Sequence, residues 1–162
     1  MTSADKEALL AVLRTRLAAE VEAMTRAAMA THAEATDDEN RAEDKYDTRG
    51  LEASYLAHGQ SRAAEEAAEA LAQFRALPAR VFGNGDPVGL GAVVTLEVAG
   101  RPSTYFIGPR AGGTEVVHAG VEILVVTPQS PLGRQLVGRR AGDQFPLEVG
   151  GRRSTARITQ VA

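Results

Sequence analysis

The residues of this chain whose types and spacing best suit chemistry form one acidic stretch, residues 36–47, with the sequence TDDENRAEDKYD. Carboxylates at this density suit a hard cation such as Mg²⁺, which keeps most of its waters and takes only one or two protein carboxylates. The stretch is therefore a candidate cation site. Its six acids are Asp37, Asp38, Glu39, Glu43, Asp44 and Asp47.

A structural explanation accounts for part of this charge. Thr36 and Glu39 fit a capping box, in which the Thr hydroxyl caps the start of a helix and the Glu reaches back. Asp37 and Asp38 would then lie in the first helical turn, where the helix dipole favours anions. Capping does not explain the acids later in the stretch. If this segment is helical, like charges four residues apart repel each other at a cost of about 0.2–0.5 kcal/mol per pair, so these acids do not serve helix stability. From the residues alone, both a functional acidic tip and a solvated, capped turn stay open.

Two long helices are predicted on either side of the acidic stretch. Residues 4–35 contain no Gly or Pro, residues 51–77 contain no Pro, and Pro78 ends the second segment. Each segment carries an apolar stripe at spacings of three and four, and neither stripe is buried alone. We expect an antiparallel hairpin, a rod of roughly 45–50 Å with the acidic stretch at its far end. The stripes are Leu10, Leu13, Leu17, Val21, Met24 and Ala28, and then Leu51, Tyr55, Ala63, Ala67, Ala70, Phe74 and Leu77.

The second half of the chain predicts a small β-rich domain. Strands are predicted at residues 92–98, 103–107, 121–126, 145–149 and 155–161, with 121–126 as a central strand of an antiparallel sheet. Ser130 as N-cap, Pro131 at the first helical position and Gly138 as a stop predict a helix of about eight residues. The fold class is α+β: an N-terminal antiparallel α-helical coiled-coil hairpin, residues 1–78, followed by a β-rich domain, residues 79–162.

Composition and charge exclude several classes of site. The chain has no Cys, and its three His are scattered, so neither a disulfide nor a zinc site is expected. Residues 1–77 carry a net charge of −6 and residues 78–162 a net charge of +3, which suggests two parts with different partners. No signal peptide, membrane span or phosphate-binding loop is recognisable, which fits a cytoplasmic protein.

Residues 127–138, TPQSPLGRQLVG, followed by Ala141, Gly142 and Asp143, resemble the signature of the bacterial GreA/GreB transcript-cleavage factors. The order of parts is also similar to that family, in which a coiled coil precedes a globular domain of FKBP-like fold. The resemblance implies that the globular domain docks on RNA polymerase at its secondary channel. It places Ser130, Pro131 and Arg134 in the docking surface, although a helix cap and a surface Arg explain them equally well.

The same resemblance gives the acidic tip a role in catalysis. It implies that Asp37, Asp38, Glu39 and Glu43 act in the polymerase active site, where backtracked RNA is cut by the polymerase's own centre. Asp38 and Glu39 would share a Mg²⁺ ion supplied within that active site, and the isolated protein is expected to bind no cofactor tightly. The chain would then not be an enzyme by itself. It departs from the family at Thr36, where the cleavage factors have an Asp three positions before the Glu.

Three alternatives to a cleavage factor remain. The first is a non-cleaving regulator that occupies the secondary channel, and the second is a coiled-coil adaptor protein whose acidic stretch is a capped turn. The third, a prolyl isomerase, rests on the FKBP-like resemblance alone, and fold does not imply activity. The expected partner is RNA polymerase, with nucleic acid contacted only within the transcription complex and no membrane; the expected oligomeric state is a monomer.

Overall fold

The structure is a computed structural model that describes residues 1–36, 49–149 and 151–162. It confirms the predicted α+β class, with two long helices followed by a β-rich domain that contains one short helix. The helices are α1 (Ser3–Thr36), α2 (Arg49–Ala76) and α3 (Pro131–Leu136). The strands are β1 (Val93–Val98), β2 (Arg101–Ile107), β3 (Glu115–His118), β4 (Val121–Val126), β5 (Gln144–Val149) and β6 (Arg152–Val161).

The apolar stripe of α1 is confirmed, and that of α2 is wrong at one position. Leu10, Leu13 and Leu17 are almost completely buried. In α2, however, the side chain of Tyr55 is 71% exposed, and Ala57 is buried instead. Two residues along a helix differ by about 200° in direction, so Tyr55 lies on the opposite side of α2 from Ala57. The side chain of Leu51, also assigned to this stripe, lies outside the described residues.

The contacts between residues divide the chain into two compact units. The helical unit comprises Thr15–Ala72, and the β unit comprises Met1–Arg14 together with Gln73–Ala162. The start of α1 and the end of α2 therefore pack with the strands. The division into domains at residues 1–78 and 79–162 stays a prediction.

The six strands form one sheet in the order β3-β4-β2-β1-β6-β5. Four of the five neighbouring pairs are antiparallel, but β2 and β4 are parallel, so the prediction of a purely antiparallel sheet is wrong. The cause is β3, a strand that the sequence pattern does not predict. After β2 the chain forms β3 at the edge of the sheet and then reverses through a tight turn. Strand β4 therefore lies between β3 and β2 and runs parallel to β2. Strand β4 therefore has a neighbour on each side, although the centre of the sheet is β2 and β1.

Two Ala-Gly turns fix the register of the hairpins. Ala99-Gly100 joins β1 to β2 and Ala119-Gly120 joins β3 to β4, and all four residues have positive φ values of 51°, 75°, 51° and 76°. Positive φ at both central residues is the type I′ geometry, which matches the twist of antiparallel strands. In such a hairpin the two residues that flank the turn form a hydrogen-bonded pair, here His118 and Val121.

The main core of the β unit lies on one face of the sheet. Strand residues that alternate along β1, β2 and β6 point into it, and α3 covers it with Leu136, which is fully buried. Its buried members are Phe82, Val88, Ala92, Val94, Leu96, Ile107, Val126, Leu136, Phe145, Ala156, Ile158 and Val161.

On the opposite face, the end of α2 packs closely on the sheet. The ring of Phe74 stacks on Phe106 with a centroid distance of 5.9 Å and an interplanar angle of 30°. Gly108 makes this approach possible, because a Cβ there would lie 2.7 Å from a methyl of Val125 and 2.8 Å from the ring of Phe74. Distances this short do not occur between carbon atoms that are not bonded, so any larger residue would push α2 away.

The start of α1 is held by a buried lysine. Lys6 precedes Leu9 and Leu10 by three and four positions on the same stripe, and like them it is 0% exposed. Its Nζ donates a hydrogen bond of 3.0 Å to the carbonyl oxygen of Ala162. The same Nζ lies 5.6 Å and 5.7 Å from the ring centroids of Phe82 and Phe106, a cation–π geometry. Burial lowers the pKa of Lys6 to about 8.

Arg14 connects α1 to the end of α2. Its guanidinium donates hydrogen bonds to the carbonyl oxygens of Phe74, at 3.1 Å, and Leu77, at 3.2 Å. Carbonyls at the end of a helix lack partners within the helix, so Arg14 caps α2 from outside. Glu7, one of its neighbours on α1, forms an ion pair with the same guanidinium at 2.7 Å.

Candidate functional site

The segment with the signature sequence begins directly after β4. The Ser130 hydroxyl donates to the carbonyl oxygen of Thr127 at 2.8 Å and accepts from the backbone N–H of Gly133 at 3.0 Å. Ser130 is therefore the N-cap of α3, and Pro131 follows it at the start of the helix, as the sequence predicts. The helix has six residues, not about eight, and Val137 is its C-cap. Gly138, the predicted stop, has a φ of 85° just beyond.

Gly133 allows α3 to fold back on the turn that precedes it. A Cβ at this position would overlap the carbonyl oxygen of Thr127, which is a backbone atom and cannot rotate away. The Gly in the signature is thus required by packing within the segment. The close contact with Thr127 that Gly133 permits fixes the position of α3 relative to the end of β4.

The side chains assigned to docking differ in their exposure. Pro131 and Arg134 are exposed, whereas Ser130 is half-buried because its hydroxyl caps the helix. Because they are exposed, Pro131 and Arg134 are available to a partner. The hydrogen bonds of Ser130 instead stabilise the turn before α3. The role of all three in docking stays a prediction.

A mixed basic and apolar surface surrounds α3. Val88 exchanges backbone hydrogen bonds with Gly138 and Arg139, so the segment before β1 lies beside the end of α3. In this region Leu90 is 47% exposed and Val137 is 43% exposed, and both are apolar. We define the α3 surface as Pro131, Arg134, Val137, Leu90, Arg139 and Arg140.

Two arginines of the α3 surface are held in place by the fold. Arg139 stacks over the ring of Phe145, with the guanidinium carbon 5.0 Å from the ring centroid. Arg140 donates to the carbonyl oxygen of Gly85 at 3.0 Å. An arginine that is already ordered loses less conformational entropy on binding. The sequence shows these charges, but it does not reveal that Leu90 and Val137 are exposed beside them.

The acidic tip falls within residues 37–48, which are not among the described residues. Asp37, Asp38, Glu39 and Glu43, together with Asp44 and Asp47, lie outside the described residues, as does the Glu39 half of the predicted capping box. Thr36 is the last residue of α1. Among residues 1–36, 49–149 and 151–162, no group of three or more His, Asp and Glu side chains is arranged to hold a metal ion.

Two of the scattered histidines lie on separate elements of the fold. His118 ends the edge strand β3, and His32 is exposed on α1. No helix in the described part of the chain is long and apolar enough to cross a membrane.

Replacing Ser130 with Ala is expected to destabilise the β unit by about 1 kcal/mol, because the N–H of Gly133 loses its acceptor. Urea unfolding followed by circular dichroism measures the change. A Ser130→Thr variant serves as the control, since its hydroxyl can accept from the N–H of Gly133 and donate to the carbonyl oxygen of Thr127, and it should lose less stability than the Ala variant. Equal stability of the Ala variant and the wild type would contradict the capping role.

Comparison with known proteins finds a similarity over part of the chain. No protein-family model matches it. Transcription elongation factor GreA of Thermomicrobium roseum is 35% identical over 79 residues, which are 49% of this chain and 47% of GreA. The chain thus matches about half the length of this curated relative.

Two solved structures align with most of the chain. GreA factor homolog 1 (Gfh1) of Thermus thermophilus is 21% identical, with 92% of this chain and 94% of Gfh1 covered and a TM-score of 0.38. The factor GreA/GreB of Nitrosomonas europaea is 20% identical, with 59% and 78% covered and a TM-score of 0.36. The curated match confirms the resemblance seen in the sequence: over about half of its length, this chain is similar to a transcription elongation factor GreA.

Proposed function

We propose that the chain is a transcription elongation factor that binds RNA polymerase at the secondary channel and stimulates cleavage of backtracked RNA. The observation that supports this most strongly is the 35% identity with GreA over 79 residues. The function would be exerted in the cytoplasm, on the polymerase, and the chain would not be an enzyme by itself.

The α3 surface is the proposed contact with the polymerase. It combines exposed apolar side chains, Leu90 and Val137, with the arginines Arg134, Arg139 and Arg140. Arginine is enriched among the residues that contribute most to binding, and neighbouring contacts support it by excluding water. Because the arginines are cationic, the complementary polymerase surface would be acidic, and binding would weaken as salt screens the charges.

The acidic tip is the proposed contribution to catalysis. Carboxylate oxygens are the donors that Mg²⁺ prefers, and Asp38 and Glu39 would help to hold an ion supplied in the polymerase active site. There the ion would provide the Lewis-acid assistance that phosphodiester hydrolysis needs. Asp37 and Glu43 would orient the attacking water and add negative charge beside the ion. The isolated tip would bind Mg²⁺ only weakly, because water screens it and few ligands converge.

A transcript-cleavage assay tests the proposed catalytic role. Stalled, backtracked elongation complexes with end-labelled RNA are incubated with the protein and Mg²⁺. The wild type should shorten the RNA, and a variant with Asp37→Asn, Asp38→Asn, Glu39→Gln and Glu43→Gln should lose at least about a hundredfold in rate. The neutral amides lack the charge that holds the ion, and even a misplacement of about 1 Å costs that much. The matched control neutralises Asp44 and Asp47, which removes charge from the same stretch but should retain cleavage.

A competition assay tests docking separately. Arg134→Glu should weaken the binding of the protein to polymerase, measured by displacement of a labelled channel-binding factor, and Arg101→Glu on β2 is the charge-matched control. Arg101 is exposed but lies away from α3, at the start of the second strand. Equal affinities of the two variants would contradict the proposed docking surface.

A non-cleaving regulator of the secondary channel is the second candidate. The observation that favours it is Thr36, which stands where the cleavage factors have an Asp three positions before the Glu. A wild-type protein that competes for the channel but does not shorten RNA would establish this function. A protein that neither competes nor cleaves would instead be a coiled-coil adaptor.

A further inference from the structure

The edge strand β3 has hydrogen-bonding groups that face away from the sheet. Since His118 and Val121 flank a type I′ turn, they pair by hydrogen bonds, and pairs of this kind recur at every second residue. The N–H of Val125 donates to the carbonyl oxygen of Thr114, which fits the same alternation. The backbone N–H and C=O groups of Glu115 and Val117 therefore point outward, where another strand could pair with them.

The opposite edge of the sheet is protected, whereas β3 is not. Strand β5 contains Pro146, which lies opposite Thr155 and has no N–H to offer at that edge. Proline at an edge is a common way to prevent the addition of a strand. Strand β3, with the sequence EVVH, has no Pro and no Lys at its edge.

The side chains beside this edge form a patch of defined chemistry. Glu115 and Val117 are two residues apart on β3, and Glu122 lies opposite Val117 on β4, so the three side chains share one face. Glu115 and Glu122 are exposed, and Val117 is 62% exposed. We refer to these three side chains as the β3 patch.

The surroundings of the β3 patch favour a cation. A groove of about 880 Å³ runs along β2, β3 and β4, and Glu115 and Glu122 are the charged residues that line it. Of the nine arginines of residues 78–162, the eight whose side chains the structure describes do not line this groove, although that half of the chain has a net charge of +3. The local charge is thus opposite to that of the surrounding domain.

We propose that the free edge of β3 binds, by strand addition, an extended peptide segment with Lys or Arg at two alternate positions. A residue of the added strand opposite Glu115 would place its cation on that carboxylate. The next residue on the same face would lie opposite Val117, where the aliphatic part of a Lys side chain would cover the valine and bring its ammonium towards Glu122. Backbone hydrogen bonds would supply affinity and the two carboxylates would supply selectivity. This site is distinct from the α3 surface and needs no polymerase.

The experiment uses the full-length protein and a short acetylated peptide in which Lys alternates with Thr. Binding is followed by NMR chemical-shift changes and by hydrogen exchange of backbone amides. We expect slower exchange at Glu115 and Val117 in the complex, because their N–H groups become donors to the peptide. A peptide of the same composition with adjacent lysines, and one in which Glu alternates with Thr, should bind at least about tenfold more weakly, since each loses charge-assisted contacts.

Two variants distinguish strand addition from simple charge attraction. Val117→Pro removes an outward N–H at an edge position that tolerates proline, with Val117→Thr as its matched control, and it should lose at least about tenfold in affinity. The double variant Glu115→Lys, Glu122→Lys changes only exposed side chains and should abolish binding. The proposal is wrong if no peptide binds, if the rearranged peptide binds equally well, or if Val117→Pro binds as the wild type does. It is also wrong if these amides become protected at high protein concentration without peptide, since a second copy would then occupy the edge.

Discussion

A Gly133→Ala variant is expected to lose about 3 kcal/mol of folding free energy, the upper part of the range for an overpacked site. Helix propensity alone predicts the opposite sign, because Ala in a helix is about 1 kcal/mol more favourable than Gly. The structure reverses this expectation, since a Cβ at Gly133 would overlap the carbonyl oxygen of Thr127. Urea unfolding measures the difference, and the variant should unfold at a clearly lower urea concentration.

Gly59 provides a matched control for this prediction. It also lies within a helix, α2, but a Cβ there would meet no atom within 4 Å. Gly59→Ala should therefore stabilise the protein by up to about 1 kcal/mol. If both substitutions changed the stability in the same direction, the close contact between α3 and Thr127 would not determine the identity of residue 133.

Replacing Lys6 with Met is expected to remove a pH dependence from the stability of the protein. Burial lowers the pKa of Lys6 from 10.5 to about 8 in the folded state, whereas the unfolded chain keeps the ordinary value. Between these two pH values the unfolded chain binds more protons, so the wild type becomes more stable as the pH rises from 8 to 10.5. Each pKa unit equals about 1.4 kcal/mol, so the rise should be on the order of 3 kcal/mol.

The measurement compares urea unfolding of the wild type and of Lys6→Met at pH 7 and at pH 10.5, and the difference between the two proteins isolates Lys6. At pH 7 we expect similar stabilities, because Met fills the space, and the carbonyl oxygen of Ala162 still accepts from Val93 at 2.7 Å. Lys6→Ala should be less stable than Lys6→Met by about 2–5 kcal/mol at both pH values, as expected for a cavity. Parallel pH profiles of the wild type and Lys6→Met would contradict the lowered pKa.

The long helices and most strands are predictable from the sequence because local patterns determine them. The apolar stripe of α1 has a regular spacing, and the run 121–126 coincides with β4 as observed. Strand β3 was missed because it has only four residues, EVVH, without a long apolar run. Without β3, the parallel pairing of β2 with β4 could not be predicted. Pairing depends on the path of the chain and not on local composition.

The candidate site likewise has one part that the sequence predicts and another part that it does not. The cap formed by Ser130 and Pro131 follows from local backbone chemistry, so the sequence predicts it correctly. The need for Gly at residue 133 depends on the close approach of Thr127, which no spacing rule contains. The burial of Lys6 could have been predicted, because Lys6 lies on the same stripe as Leu9, Leu10 and Leu13. A charged residue at such an apolar position indicates a buried partner.

The hydrogen bond between Lys6 and Ala162 joins residues that are 156 positions apart. The start of α1 therefore emerges from the ribosome long before β6, the strand that must enter the sheet between β1 and β5. Until synthesis reaches β6, the leucines at residues 9 and 10 have no finished sheet to pack on, and they offer an apolar segment to a chaperone. The β unit consequently cannot complete its fold before β6 has been synthesised, and its many contacts between distant residues make that folding slow compared with helix formation.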